Sequence, residues 1–105
     1  MTEKRRFDRH SILSSAIIQY GEDAQIDMMI EEMSELTKAL LKLRRMNDAD
    51  IGSDKHTALI NDIREEIADV QIVLDQMKII YGDVSEYDEK KVSRLFDRLL
   101  EGKAK

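Results

Sequence analysis

The chain has no cysteine, no proline and no tryptophan, and only four of its 105 residues are glycine. Without cysteine, neither a disulfide nor a thiolate metal site can be built. Sheet proteins draw on proline and glycine for their turns, so their scarcity disfavours a β fold. No apolar run approaches the roughly 18 residues that span a bilayer, which predicts no membrane partner. The charged stretch Met1 to Phe7 lacks the apolar centre of a secretory signal, and a cytoplasmic location is expected. Positive charge is not in excess either: 22 acidic residues face 17 basic ones, for a net charge of -5. A protein that grips nucleic-acid phosphates leans the other way, and the one basic run, Lys42-Leu43-Arg44-Arg45, is short. What the chain does have is 37% charged and 42% hydrophobic residues, the mixture of amphipathic helices. The expectation is one all-α domain over residues 1–105.

Glycine marks the helix ends. Gly21, Gly52, Gly82 and Gly102 each stand where a helical pattern stops or just beyond, the place where a left-handed residue closes a helix. The predicted helices run from Asp8 to Tyr20, Glu22 to Met46, Asp54 to Tyr81, and Ser85 to Glu101. Asp8 is the candidate N-cap of the first, Ser85 with Asp88 reads as a capping box for the last, and Asn47 to Asp54 forms a polar loop. The second and third helices are each about 25 residues or 38 Å long. Met29, Met33, Leu36, Leu40 and Leu43 share one face of the second, and Ile63, Ile67, Val70, Leu74 and Met77 one face of the third. These stripes predict an antiparallel hairpin, with the methionines filling core gaps.

A shift of 34 residues lays Glu31-Glu32-Met33-Ser34-Glu35-Leu36 on Glu65-Glu66-Ile67-Ala68-Asp69-Val70. Acid positions and apolar phase both recur. At about 100° per residue, Glu32 and Glu35 lie along one border of the apolar stripe and Glu66 and Asp69 border the other helix's stripe. Glu31 and Glu65 point away. Four carboxylates at one edge repel each other unless a cation sits among them, and oxygen donors suit Mg²⁺, Mn²⁺ or Ca²⁺. In so acidic a chain, the same residues are equally compatible with a solvated surface. His10 and His56 fall outside the Glu-x-x-His spacing of a di-iron bundle and read as surface or cap residues.

The pattern Glu31-Glu32-x-x-Glu35 followed by Glu66-x-x-Asp69 resembles the signature of the MazG-like all-α nucleoside triphosphate pyrophosphohydrolases. Tyr20-Gly21 and Gln25 before the first motif, and Lys91, Arg94 and Arg98 in the last helix, also resemble that family. The likeness covers residues 10 to 100. It implies hydrolysis of a nucleoside or deoxynucleoside triphosphate to the monophosphate and pyrophosphate. It further implies Glu32, Glu35, Glu66 and Asp69 as ligands of Mg²⁺, with Mn²⁺ as the alternative, one of them also serving as catalytic base. Gln25, Lys91, Arg94 and Arg98 become the candidate substrate contacts. The segment between the two motifs is long for the family. No tryptophan is present to cage a base, which leaves Phe7, Tyr20 and Tyr87 as stacking candidates. Gln71 and Ile72 stand where phosphoribosyl-ATP pyrophosphohydrolases carry a Tyr-His pair, which sets that branch aside.

The third helix is apolar on more than its stripe, at Ile72, Val73, Ile79 and Ile80, and the last adds Val92, Leu95, Phe96, Leu99 and Leu100. A helix that is apolar all round is buried. A homodimer or homotetramer is therefore expected, with a four-helix bundle core shared between subunits, as the family resemblance also implies. The alternative function is a non-catalytic helical dimerisation or adaptor module, which would use the same apolar faces but has no need of matched acids.

Overall fold

The computed structural model describes the backbone of residues 8–104 and the side chains of residues 8–102. Four helices follow one another: α1 (Arg9–Tyr20), α2 (Glu22–Arg44), α3 (Asp54–Tyr81) and α4 (Ser85–Ala104), with a 3-10 turn at Asp48–Asp50. No strand is present among the described residues. The all-α expectation and the long α2–α3 hairpin hold. Phe7, one of the aromatic candidates, lies outside the described residues.

Local chemistry sets the boundaries. Gly21 and Gly82 follow α1 and α3 with φ of 95° and 111°, a region open to glycine and costly for other residues. Gly102, in contrast, lies inside α4 and ends nothing. Helix α2 stops at Arg44, two residues before the predicted end. The side-chain hydroxyl of Ser53 accepts from the His56 N–H and caps α3. His56 Nδ1 in turn accepts from the Gly52 N–H at 3.0 Å, so this histidine has the cap role that the sequence suggested. The predicted Ser85/Asp88 capping box is not what opens α4. Asp83 does so: its Oδ1 accepts from both the backbone N–H and the hydroxyl of Ser85. Those bonds hold the Asp83 carboxyl below its ordinary range, the Ser85 hydroxyl contributing most.

Most tertiary packing is between α2 and α3, with α1 laid against both at their far end. Leu13 and Ile17 of α1, Ala39 of α2, and Ile63 and Val73 of α3 form the buried apolar centre. Gln76 is 3% exposed, and its Nε2 donates to the carbonyl of Leu13 at 3.3 Å. Arg9 reaches Asp75 at 2.8 Å, a second tie between α1 and α3.

The seam is rotated from the expected one. On α2 the inward row is Gln25, Met29, Glu32, Leu36, Ala39 and Leu43; on α3 it is Ile63, Glu66, Val70, Val73 and Met77. Met33, Leu40, Ile67 and Leu74, expected in the seam, are each more than 40% exposed, and Met28 is exposed as well. The cause is α1. Its Leu13 and Ile17 cover the Gln25/Gln76 flank, which pulls the buried centre toward that side, and small Ala39 lets the helices approach closely. The displaced residues form an uncovered apolar stripe. By helical phase, Met33 and Leu40 share one side of the hairpin with Ile67 and Leu74, whereas Glu35 and Asp69 share the other.

Candidate metal centre and adjoining cleft

The rotation carries the acids inward. Glu32 and Glu66 lie in the seam itself and are half-buried. They meet because the strict 3.5-residue spacing of the inward rows, together with antiparallel pairing, puts position 32 level with position 66. Asp69, one turn further along α3, joins them. One carboxylate oxygen from each of Glu32, Glu66 and Asp69 lies within 4.8 Å of the others. Glu31 and Glu65 are exposed, on the outer faces that their phase predicted.

The electrostatics are those of an uncompensated cluster. Glu32 is held above the ordinary carboxylate range, first by desolvation and then by the charges of Asp69 and Glu66. Glu66 is raised for the same reasons, desolvation leading, followed by Asp69 and Glu35. Glu66 Oε2 is shut off from solvent and has no hydrogen-bond partner among the described residues. A buried anionic oxygen left this way is costly unless a proton or a cation meets it. The donor set, three carboxylates of which one is orphaned, fits a hard divalent cation.

Glu35 stands apart from this triad. It is half-buried, close enough for its charge to raise Glu66, and its Oε1 pairs with Lys38 at 3.4 Å. Lys38 and Lys42 are on the exposed surface.

An open cleft of about 1160 Å³ lies between α1, α2 and α3, and helical spacing sets it one turn from the acids on the side of Glu35 and Asp69. Met28 lies one turn before Glu32, and Ile72 one turn after Asp69; both line the cleft, with Ile12, Ala16 and Tyr20 closing it from α1. Gln25 is buried and forms part of the wall, as does Gln76. Gln25 and Tyr20 are legible from the sequence as candidate contacts. Val73 is legible as an apolar residue outside the expected stripe, on the 3.5-residue row that carries Ile63 and Glu66, whereas Gln76 lies one residue off that row and carries no such signal.

Lys91, Arg94 and Arg98 do not approach the acids within one chain. Helix α4 has no substantial packing against the other helices, and every residue from Gly82 to Gly102 is exposed. Tyr87, the last stacking candidate, is on this helix and exposed with it.

No protein-family model matches the chain, and no curated protein or solved structure is significantly similar to it. No helix among the described residues is long and apolar enough to cross a membrane.

Proposed function

We propose that the chain hydrolyses a nucleoside or deoxynucleoside triphosphate to the monophosphate and pyrophosphate with the help of Mg²⁺ or Mn²⁺. The observation that carries this reading is the convergence of Glu32, Glu66 and Asp69 around the orphaned Glu66 Oε2, beside a cleft large enough for a nucleotide. The MazG-like motif in the sequence supports it.

Glu32, Glu66 and Asp69 would hold the cation. When bound, that cation neutralises phosphate charge and lowers the pKa of a coordinated water. The cleft wall takes the nucleoside: Gln25 offers an amide to a base edge and Tyr20 an aromatic face. Glu35 lies outside the triad but borders it, so its carboxylate is placed to accept the proton of the attacking water. Lys38 pairs with that carboxylate and orients it. The working unit is a homodimer or homotetramer whose shared bundle core covers the Met33, Leu40, Ile67 and Leu74 stripe, in a cytoplasmic nucleotide pool.

The exposed α4 favours one second reading, a helical adaptor that binds through this surface and hydrolyses nothing. Calorimetric titration with Mg²⁺ and a non-hydrolysable triphosphate separates the two. Metal-dependent nucleotide binding that is lost in Glu66→Gln supports the hydrolase, and no binding to the wild type supports the adaptor.

A further inference from the structure

Two apolar surfaces lack a partner among the described residues. One is the face of α4 that carries Val92, Leu95, Phe96, Leu99 and Leu100, where Phe96 is 59% and Leu99 58% exposed. The other is the cleft between α1, α2 and α3. We propose that α4 of one copy lies over the cleft of a second copy and brings Lys91 and Arg98 to that copy's acidic edge. This rests on the hydrolase reading only for the role of the two cations; the docking stands on surface and charge alone.

Area argues for a second copy. The chain exposes 9056 Å², about 3,000 Å² more than a folded monomer of this size. Its radius of gyration is 18.5 Å, against about 13 Å for a compact chain of the same length. Obligate homodimers bury roughly 2,000–5,000 Å² in total, or about 1,000–2,500 Å² per chain, so the excess on each chain is more than enough to supply such an interface. Helices in proteins draw most of their stability from packing an apolar face, and a second copy supplies that packing to α4.

Charge argues for this register. Around the α4 axis, Lys91 and Arg98 border the apolar face on one flank, and neither is in an ion pair among the described residues. Across the cleft, the acidic edge has no ion-paired cation beyond Lys38 among the described residues. A bound triphosphate would add more negative charge to that edge. The site within one chain is therefore incomplete, and α4 carries what it lacks.

The connection argues against α4 folding back on its own hairpin. The Gly82 N–H is bonded to the Lys78 carbonyl at 2.9 Å, and Asp83 is bonded to Ser85. The three residues between α3 and α4 are thus a capped bend that aims α4 outward. The cleft, at about 1160 Å³, also exceeds the roughly 300–1,000 Å³ of an ordinary small-molecule site, which leaves room for a row of helix side chains as its roof.

The absence of native cysteine makes the test direct. Leu95→Cys on one chain and Met28→Cys on another are mixed and oxidised; both positions are exposed within the single chain. An interchain disulfide is expected, and none when Lys90→Cys, on the far side of α4, replaces Leu95→Cys. A double variant carrying Leu95→Cys and Met28→Cys that closes only on itself, or a monomeric chain that forms no disulfide, overturns the proposal. For the cations, Lys91→Ala/Arg98→Ala is mixed with Glu66→Gln, each deficient in Mg²⁺-dependent nucleotide binding. Random two-fold pairing restores one complete site in half of the dimers, about one quarter of wild-type capacity; no restoration contradicts delivery in trans. A disulfide without nucleotide binding by the wild type leaves the docking standing and removes the hydrolase reading instead.

Discussion

Glu32 and Glu66 face each other across the α2–α3 seam, half-buried, with carboxylate oxygens within 4.8 Å and no ion pair to either among the described residues. Two like charges so placed weaken the fold by themselves, and a divalent cation would turn the same pair into a crosslink. Glu66→Gln should therefore raise the melting temperature of the metal-free protein. It should also abolish the stabilisation by Mg²⁺ that mass action gives the wild type, and lower pyrophosphate release at least about a hundredfold. Glu65→Gln, on the exposed face, is the control and should alter none of the three. Thermal melts with and without Mg²⁺ check this, and equal behaviour of the two variants would count against the assigned phase.

Acid should stabilise the metal-free protein locally. Glu32 and Glu66 titrate above the ordinary carboxylate range in the folded state, so the folded chain binds more protons than the unfolded one in that window. Their contribution is fully present below the unfolded glutamate value, about pH 4, and is lost as pH rises through their raised folded values. Melting temperatures across that window should fall with pH in the wild type. They should fall less steeply in Glu32→Gln/Glu66→Gln, and less steeply in wild type with Mg²⁺. A wild-type slope equal to that of the double variant would remove these two groups as its source.

Gln76 ties α1 to the hairpin. It is 3% exposed with its amide on the Leu13 carbonyl, so Gln76→Ala removes this inter-helix bond and leaves a small void. The lost bond costs about 0.5–1.5 kcal/mol in urea unfolding, and the void adds to it. Because α1 supplies Ile12, Ala16 and Tyr20 to the cleft, nucleotide affinity should fall with it. An unchanged urea midpoint would show that this bond is not what docks α1.

Much of this architecture is legible in the residues. Gly21 and Gly82 announce the ends of α1 and α3 because no other residue sits easily at those backbone angles. The matched acids at a 34-residue offset could be found because a helix repeats its phase. What stayed hidden was which arc of a broad apolar face becomes the seam. Met33, Leu40, Ile67 and Leu74 have the right spacing, and nothing in α2 or α3 alone tells that α1 will cover the opposite flank. Buried glutamines at positions 25 and 76 look like surface until that packing is known. Asp83 lay two residues before the serine expected to cap α4, and carboxylate and hydroxyl caps have nearly the same sequence signal. The cations of α4 could be noticed by type, yet their distance from the acids in one chain comes only from tertiary structure.

The outward stripe should govern assembly rather than folding. Met33 is 47% and Ile67 49% exposed, so Met33→Asp/Ile67→Asp costs a single chain little. The same charges placed inside a shared bundle core would be unpaired and several kcal/mol unfavourable. Sedimentation velocity should show the wild type as a dimer or tetramer and the variant shifted to a smaller species, with helicity retained. A wild type that is monomeric at micromolar concentration would remove the shared core.

The central claim concerns chemistry at Glu32, Glu66 and Asp69, and phosphorus NMR of a nucleoside triphosphate incubated with the protein and Mg²⁺ tests it most directly. Screening the common ribo- and deoxyribonucleotides covers the choice of base and sugar. Equal amounts of monophosphate and pyrophosphate should form, in a reaction abolished by chelation and by Glu66→Gln. Release of orthophosphate with the diphosphate, or no turnover of any triphosphate by wild-type protein that binds Mg²⁺, would contradict it.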